Sequence, residues 1–579
     1  MKSKFNIIIT VFVFCLSASY AQDDTLQTNE VYIYQEYEPT VSDAFKMSSF
    51  PVIKSKSIEA PDIKYSIINK QVKTSFSVEP IKPAKMKGDR LGKLSKSYLK
   101  AGVGNYTNNM VEIYVNNSRS RKHNVGVFAK HLGSNGGIDG VGHNGFSSQA
   151  VSVYGKKFLR QHLIKGELNY DRDFFRYYGY EVDTTNISEF DTRSFLNKDN
   201  TRQFVSVVSA NAGLKSFFKD SAKVDYDLAL NFDNLTDRFG VMENYFLLEG
   251  VFVKCFNSSF SDFANSEKVR LDASIDFNNY SWSDTAFYAI AEAGNQNNAL
   301  VKLSPSIASS GDFWKLDVGM NLNVNVSENA SFHFYPNVHF KYNVLKDMLI
   351  PYAGVNGGVS RNNYNSFITT NSFILSSVSL KNTNKRFDIY GGVRGALSSK
   401  IAFNLRASVQ EFRNMPLFVN HDTLGLTFDV IYDTVQVSRF GGEISYHNSQ
   451  RLNIIFNGEF RQYKMKSEKA PWHLPNLNIG ITGVYDLRDK IIVRGDLQYN
   501  SKQQARSFDA NDYDLGGDIF MRELNGYVDA SVGLEYRYTS KLSVFLNVNN
   551  VTGLNYYRWN NYPSQGFNIL GGITYSFLD

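Results

Sequence analysis

The chain has 579 residues, of which 20% are charged and 42% hydrophobic, and a formal net charge of +6 spread along its length. A mean hydropathy of −0.31, with no long apolar run after residue 22, excludes a bundle of membrane-crossing helices. No basic cluster sits on a recognisable binding module, which excludes nucleic acid as a partner.

Lys2 and Lys4 precede an apolar run from Phe5 to Leu16, and the small residues Ser17, Ala18, Ser19 and Ala21 follow. This order predicts a secretory signal peptide over residues 1–21, cleaved after Ala21. The run is about half the length a membrane helix needs. Cys15 follows Phe14, which is unsuited to lipoprotein processing, so no lipid anchor is expected. After cleavage Cys255 stands alone, and no internal disulfide staples the secreted chain.

Residues 22–96 hold five of the twelve prolines (Pro39, Pro51, Pro61, Pro80 and Pro83), and their Lys and Arg gather between Lys54 and Lys96. Alternation is confined to pieces such as Val31–Ile33 and Phe76–Val78. This composition predicts an extended, partly ordered periplasmic arm that runs along or into a barrel mouth, or meets outer-membrane or periplasmic protein partners. A leader without a role fits the same residues.

From Ser97 the pattern changes to strict two-residue periodicity. It begins with Val111, Ile113 and Val115, and returns from Val224 to Phe232. Val269, Leu271, Ala273, Ile275 and Phe277 then alternate with Arg270, Asp272, Ser274, Asp276 and Asn278. Between 315 and 326 every even residue from Leu316 to Val326 is apolar, against Lys315, Asp317, Gly319, Asn321, Asn323 and Asn325. Further runs cover Ile401–Val409, Leu452–Phe460, Val528–Tyr538 and Leu542–Val548. Successive strand side chains point to opposite faces, so each run is greasy on one side only.

A soluble sandwich also alternates, but its strands average five or six residues and its turns are rich in proline. Here the runs are commonly 9 to 12 residues, the length a tilted strand needs to cross a bilayer, and charges mark the polar face throughout. Tyr556, Tyr557, Trp559 and Tyr562 are expected at a membrane interface. The fold class predicted is therefore all-β: one transmembrane antiparallel barrel over residues 97–579, in contact with outer-membrane lipid. Roughly 480 residues at about 22 per strand and turn give about 22 strands, within a range of 18 to 24. At the end, Phe567, Ile569, Gly571, Ile573, Tyr575 and Phe577 alternate with Asn568, Leu570, Gly572, Thr574 and Ser576, as a closing strand would.

The run Val544-Phe545-Leu546-Asn547-Val548-Asn549-Asn550, then Tyr556-Tyr557, Tyr562-Pro563, Gly566 and the last strand, resembles the final two strands of TonB-dependent receptors. The Tyr-Pro ending with a Gly-rich last strand is most like those of Bacteroidota. Tyr98-Leu99-Lys100-Ala101-Gly102-Val103-Gly104-Asn105-Tyr106, with Phe158 and Tyr170 to Tyr180 beyond, is similar to plug-less barrels of that phylum. The resemblance implies a bacterial outer-membrane location and a receptor-like barrel. That family carries a plug of well over a hundred residues ahead of the barrel. Here about 75 residues stand there, without an Arg-Gly plug motif or a clear TonB box, which counts against TonB-driven import.

Motifs with possible chemistry are weak. Gly140-Val141-Gly142-His143-Asn144-Gly145 satisfies G-x-G-x-x-G, but joins two alternating segments with no helix after it, and reads as a loop. His333 and His339 share a strand face, as do His123 and His131. Residues six apart on a strand stand ~20 Å apart, and a metal needs three or four converging ligands. Asp509, Asn511, Asp512, Asp514 and Asp518 lie beside Gly516 and Gly517, but Tyr513 breaks the spacing of a calcium loop, and a solvated extracellular loop is expected. His421, Asp422 and Ser438 are hydrolytic residue types with no sign of a nucleophile paired to a base. No catalytic, metal or cofactor-binding residue is expected, no cofactor, and no enzymatic activity. Two functions fit: a pore for a polar solute, restricted by the arm and inward loops, or a structural barrel subunit of an assembly, secretion or uptake complex.

Overall fold

The computed structural model describes residues 96–577, apart from 118–119, 121, 181–197, 219–222, 257–265, 284–291, 327–329, 346, 422–424, 449–450 and 508–519. The expected signal peptide, the arm up to residue 95 and the acidic 509–518 segment lie outside the described residues. The described chain runs through β1 Ser97–Gly104, β2 Asn109–Asn116, β3 His123–Ser134, β4 Phe146–Phe158, β5 His162–Arg176, β6 Arg202–Ser216, β7 Asp225–Asp237 and β8 Met242–Phe256. It continues with β9 Ser266–Trp282, β10 Gly294–Ser310, β11 Trp314–Val326, β12 Ser331–Tyr342, β13 Ile350–Ser360, helix α1 Tyr364–Thr370, β14 Thr383–Ser398, β15 Ile401–Asn420 and β16 Phe428–Asn448. Then follow β17 Leu452–Met465, β18 Leu477–Leu487, β19 Ile491–Asn500, β20 Gln503–Ser507, β21 Phe520–Leu524, β22 Tyr527–Arg537, β23 Leu542–Asn549, β24 Tyr557–Trp559, β25 Tyr562–Pro563 and β26 Asn568–Ser576.

Twenty-two of these strands form one antiparallel sheet, and β20–β21 and β24–β25 are separate hairpins on connections. The sheet closes because β1 pairs with β26, from Tyr98 opposite Ser576 to Gly104 opposite Leu570. Closure leaves no sheet edge for lipid to meet.

The alternation of the sequence becomes the two sides of the wall. In β12, Phe332 and Phe334 are 66% and 58% exposed on the outside, whereas Asn323, opposite His333, is 2% exposed on the inside. Leu405 and Phe440 are likewise 52% and 62% exposed and belong to the same outer band, as Phe403 faces Ile444 and Ala407 faces Phe440. Apolar surface on this scale is at home only in hydrocarbon. Among the described residues no helix is long and apolar enough to cross a membrane; the strands do the crossing.

Both ends of the barrel sequence lie at one rim. Connections there are short, such as 399–400, 488–490 and 538–541. At the other rim they include 177–201, 361–382, 501–526 and 550–567. Short turns face the periplasm and long loops the exterior.

Two expectations need correction. Strands β15 and β16 have 20 and 21 residues, far beyond the 9 to 12 of the alternating runs, because they continue above the lipid. Trp559 and Tyr562 are not interfacial: Tyr562 is 3% exposed and both pack inward, away from lipid.

The seam is tight. Gly102 faces Gly572, and the Phe545 ring lies over both; a Cβ on Gly572 would collide with the Ala101 carbonyl oxygen and stand 2.6 Å from the Gly102 Cα. Gly572→Val is therefore expected to prevent closure, read as loss of the heat-modifiable band on gels. Leu405→Arg should cost about 2–4 kcal/mol in a urea titration in lipid vesicles. A much smaller effect at Leu405 than at lumen-facing Asn404 would contradict the assignment of faces.

Candidate functional site: a capped mouth and a charged inner wall

The 361–382 connection does not hang in solvent. Its seven-residue helix α1 starts at Asn363, whose side chain accepts from Ser366 N (3.0 Å) while Ser366 Oγ accepts from Asn363 N (3.1 Å). Two more N–H groups of the first turn, Tyr364 N (2.8 Å) and Asn365 N (2.9 Å), donate to the carboxylate of Glu243 on β8. Glu243 is buried and also accepts from Asn278 Nδ2 (2.9 Å). A carboxylate at a helix N-terminus meets both the free N–H groups and the positive end of the dipole.

The rest of the connection is tied down residue by residue. Buried Asp237 accepts from Ser376 Oγ (2.8 Å), Gln203 Nε2 (3.0 Å) and Val241 N (2.8 Å). Tyr280 OH donates to Ser376 O (2.6 Å). Gln296 pairs both ways with the Leu380 backbone, donating to its carbonyl (2.6 Å) and accepting from its N–H (3.0 Å). Arg361 donates to Asn298 Oδ1 (2.6 Å) and forms an ion pair with Asp276.

Between these anchors lies an apolar cluster. Tyr364, Phe367, Ile368, Ile374 and Val378 pack against Val205, Leu235, Val241 and Tyr280 on the β6–β9 wall, and against Phe418, Phe428 and Val430 on β15–β16. Strands β7 and β16 are nine apart in a ring of 22, so the cluster bridges the mouth. Tyr562 joins from the last connection, stacked on Phe373 with centroids 3.6 Å apart. Each large side chain so buried contributes about 1.5–3 kcal/mol.

A second connection, 466–476, supports the other face of the β15–β16 hairpin. Leu417, Val419 and Ile431 pack against Ala470 and Trp472. Asp433 holds the start of this connection by accepting from Lys466 N (3.1 Å), Ser467 N (3.0 Å) and Glu468 N (3.0 Å). His473 joins three segments: Nδ1 donates to Phe418 O (2.9 Å), and Nε2 accepts from Asn560 N (3.3 Å). Burial pushes the His473 imidazole down to about 4, so it is neutral at pH 7.

Below the mouth the inner wall is polar. A recess of about 640 Å³ is lined by Arg406, Arg439, Arg461, Glu443, Glu459 and Asp496, among others. These side chains pair: Arg406 with Asp388 (3.1 Å), and Glu459 with both Arg439 and Arg461. Farther round, Glu535 meets Arg494 (3.1 Å) and Arg537 (3.6 Å).

The weak motifs of the sequence stay apart. Residues 140–145 form a turn scaffold in which Asn144 Oδ1 accepts from Gly137 N (2.7 Å), and β4 follows directly. His339 Nδ1 meets Tyr390 OH (3.0 Å) and His333 Nε2 meets Ser331 Oγ (3.1 Å). His123 and His131 stand at opposite ends of β3. Among the described residues no three metal-ligating side chains converge. His421 lies in the mouth connection, Ser438 sits ten residues into β16, and Asp422 is outside the described residues. The sequence led to inward loops but not to the 361–382 connection or its anchors, whose one local signal is Asn363 with Ser366 just before Phe367 and Ile368.

No protein-family model matches the chain, and no curated protein does. Solved structures share its fold. The pyoverdine outer membrane receptor FpvA from Pseudomonas aeruginosa PAO1 aligns at TM-score 0.61 with 13% identity, over 84% of this chain and 79% of that one. The siderophore receptor PirA from Acinetobacter baumannii gives 0.64 and 11%, over 84% and 81%. The iron transporter FrpB from Neisseria meningitidis, in its F3-3 variant, gives 0.63 and 12%, over 84% and 82%. The chain thus shares the closed 22-strand barrel fold of these outer-membrane proteins.

Two outcomes follow for the mouth. Glu243→Ala leaves two helix N–H groups and Asn278 without their acceptor, at about 2–4 kcal/mol, and should make the 361–382 segment sensitive to protease on intact cells. For His473 the folded value lies below the ordinary 6.5, so its contribution is complete above pH 6.5 and is lost as pH falls toward 4. About 2 kcal/mol should be gone by pH 5, seen as faster hydrogen exchange in the mouth loops; an equal response in His473→Gln would refute that assignment.

Proposed function

We propose that this barrel passes a polar solute across the outer membrane and that the 361–382 connection is its gate, without a separate plug domain. The observation that supports the reading is the cap itself: one connection fills the space between opposite walls over an inner surface of mixed charge. A lumen as wide as 22 strands allow must be filled or plugged to keep the membrane tight. Residues 22–96 act in this reading as a periplasmic arm. The neighbours with this fold include receptors for ferric siderophores, but the paired charges of the recess suit a zwitterionic or hydroxylated solute better than a strongly anionic one.

A second reading takes the barrel as a closed structural subunit of an outer-membrane complex. The density of satisfied polar anchors around α1 favours it, since a gate must release them. Single-channel recording separates the two. The intact protein should be silent or nearly so in a planar bilayer, and replacing residues 364–380 with a short Gly-Ser linker should raise conductance several-fold. If the linker variant folds and stays silent, passage through the mouth is ruled out, and pull-down of partners from solubilised membranes tests the subunit reading.

A further inference from the structure

Outside the lumen, at the exterior rim of β4–β6, the wall carries an arrangement that neither transport nor the cap requires. Along the outer face, Val151, Tyr170 and Val208 stand in register, and one step higher Gln149, Arg172 and Ser206 do the same. Two steps beyond Arg172, Arg176 faces Arg202. The outward surface thus passes from apolar to cationic at the height where lipid tails give way to headgroups.

Aromatic rings hold the guanidinium groups of Arg172 and Arg202, while Arg176 also feels the Asp199 carboxylate. Arg172 lies 4.7 Å from the Phe204 ring centroid, and Arg176 and Arg202 each lie 5.1 Å from the Phe174 centroid. Two like charges therefore share one ring, within about 10 Å of each other. Arg176 is spent on the Lys198 carbonyl, and Arg238 adds a further cation by donating to Asp199 O (2.6 Å) and Arg202 O (2.7 Å). Among the described residues no ion pair reaches Arg172 or Arg202, whereas Arg386, at the rim across the barrel, is paired with Glu411 (2.7 Å). The acids of β5, Asp171 and Asp173, alternate to the lumen side. A recess of about 300 Å³ opens between Ser147, Gln149, Arg172, Phe174 and Arg202.

We propose that this recess binds the phosphorylated headgroup of an outer-leaflet lipid, with Arg172 and Arg202 as the phosphate ligands, Gln149 and Ser147 as neutral donors, and the tails lying on Val151, Tyr170 and Val208. Depth selects a lipid over a soluble anion: the site opens sideways at the top of the apolar band rather than into the lumen. Guanidinium forks suit phosphate oxygens, and stacking on Phe174 and Phe204 holds them in place. The proposal does not depend on whether the barrel conducts.

The test uses the full chain in detergent, with micelles carrying diphosphoryl lipid A as the probe and a lipid A stripped of phosphate as the comparison. The native protein should bind the phosphorylated form, and R172Q/R202Q should bind on the order of a hundredfold more weakly, about tenfold per guanidinium. R172K/R202K should fall between, because lysine keeps the charge but not the fork. Lys254→Gln, at the periplasmic rim, should change nothing. Retained heat-modifiability certifies the fold; should the double variant not fold, exposed Arg202→Gln alone serves. Undiminished binding by the folded variant, equal binding of the dephosphorylated lipid, or full displacement by millimolar inorganic phosphate would each overturn the proposal.

Discussion

Hydrocarbon offers no partner for a backbone N–H or C=O, and everything else in this protein follows from that constraint. A sheet in lipid must leave no edge, so β1 has to find β26, and the chain between must supply a strand at every position of the ring. The seam shows how little slack remains: Gly102 and Gly572 approach so closely that only glycine fits beneath Phe545. Once the ring is closed, side chains can only point to lipid or to the lumen, and the two-residue period decides which. Leu405 and Asn404 are neighbours in sequence and belong to different solvents.

Closing a ring of this size leaves an opening, and the 361–382 connection packs across its outer end. Its chemistry differs from that of the wall. Wall strands satisfy their backbone with one another, whereas the 361–382 connection borrows acceptors from strand ends: Glu243 for the first turn of α1, Asp237 for Ser376, and the Gln296 amide for Leu380. These polar groups are buried because they are used, and each would be costly alone. The same holds for Asp433 and the 466–476 connection. The mouth is thus a small folded core assembled from loops, with the β15–β16 hairpin packed on both faces.

How much of this could be read from the sequence depends on which solvent each residue faces. The strands that cross lipid were legible because one face is uniformly apolar: the even residues from Leu316 to Val326 place β11 to within a residue, and the strand number and closing strand followed from the same rhythm. The upper halves of β15 and β16 were not, because Leu417-Phe418-Val419 and Val430-Ile431-Tyr432 are buried on both sides and do not alternate. Trp559 and Tyr562 misled for a related reason, since an aromatic residue beside a strand serves a membrane interface or a loop core equally well. His473 carries no signal at all; its role exists only where the Phe418 carbonyl, Asn560 and two aromatic rings converge.

The register that divides lipid from lumen must also be broken where the lipid ends. Three irregularities do this close to the cap: between Asn356 and Gly358 in β13, between Lys385 and Phe387 in β14, and between Phe412 and Met415 in β15. In the last, Asn414 takes a φ of 53°, a left-handed conformation that asparagine tolerates. The extra residue exchanges the faces of the strand above it. Phe418 is thereby turned to the α1 cluster and Leu417 to Trp472, an arrangement that unbroken alternation would have reversed. On β4–β6 the ladders continue without a bulge to the rim, and there the alternation simply carries Arg172 and Arg202 outward and Asp171 and Asp173 inward. One wall therefore changes register to pack across the mouth, while another keeps it and turns Arg172 and Arg202 outward.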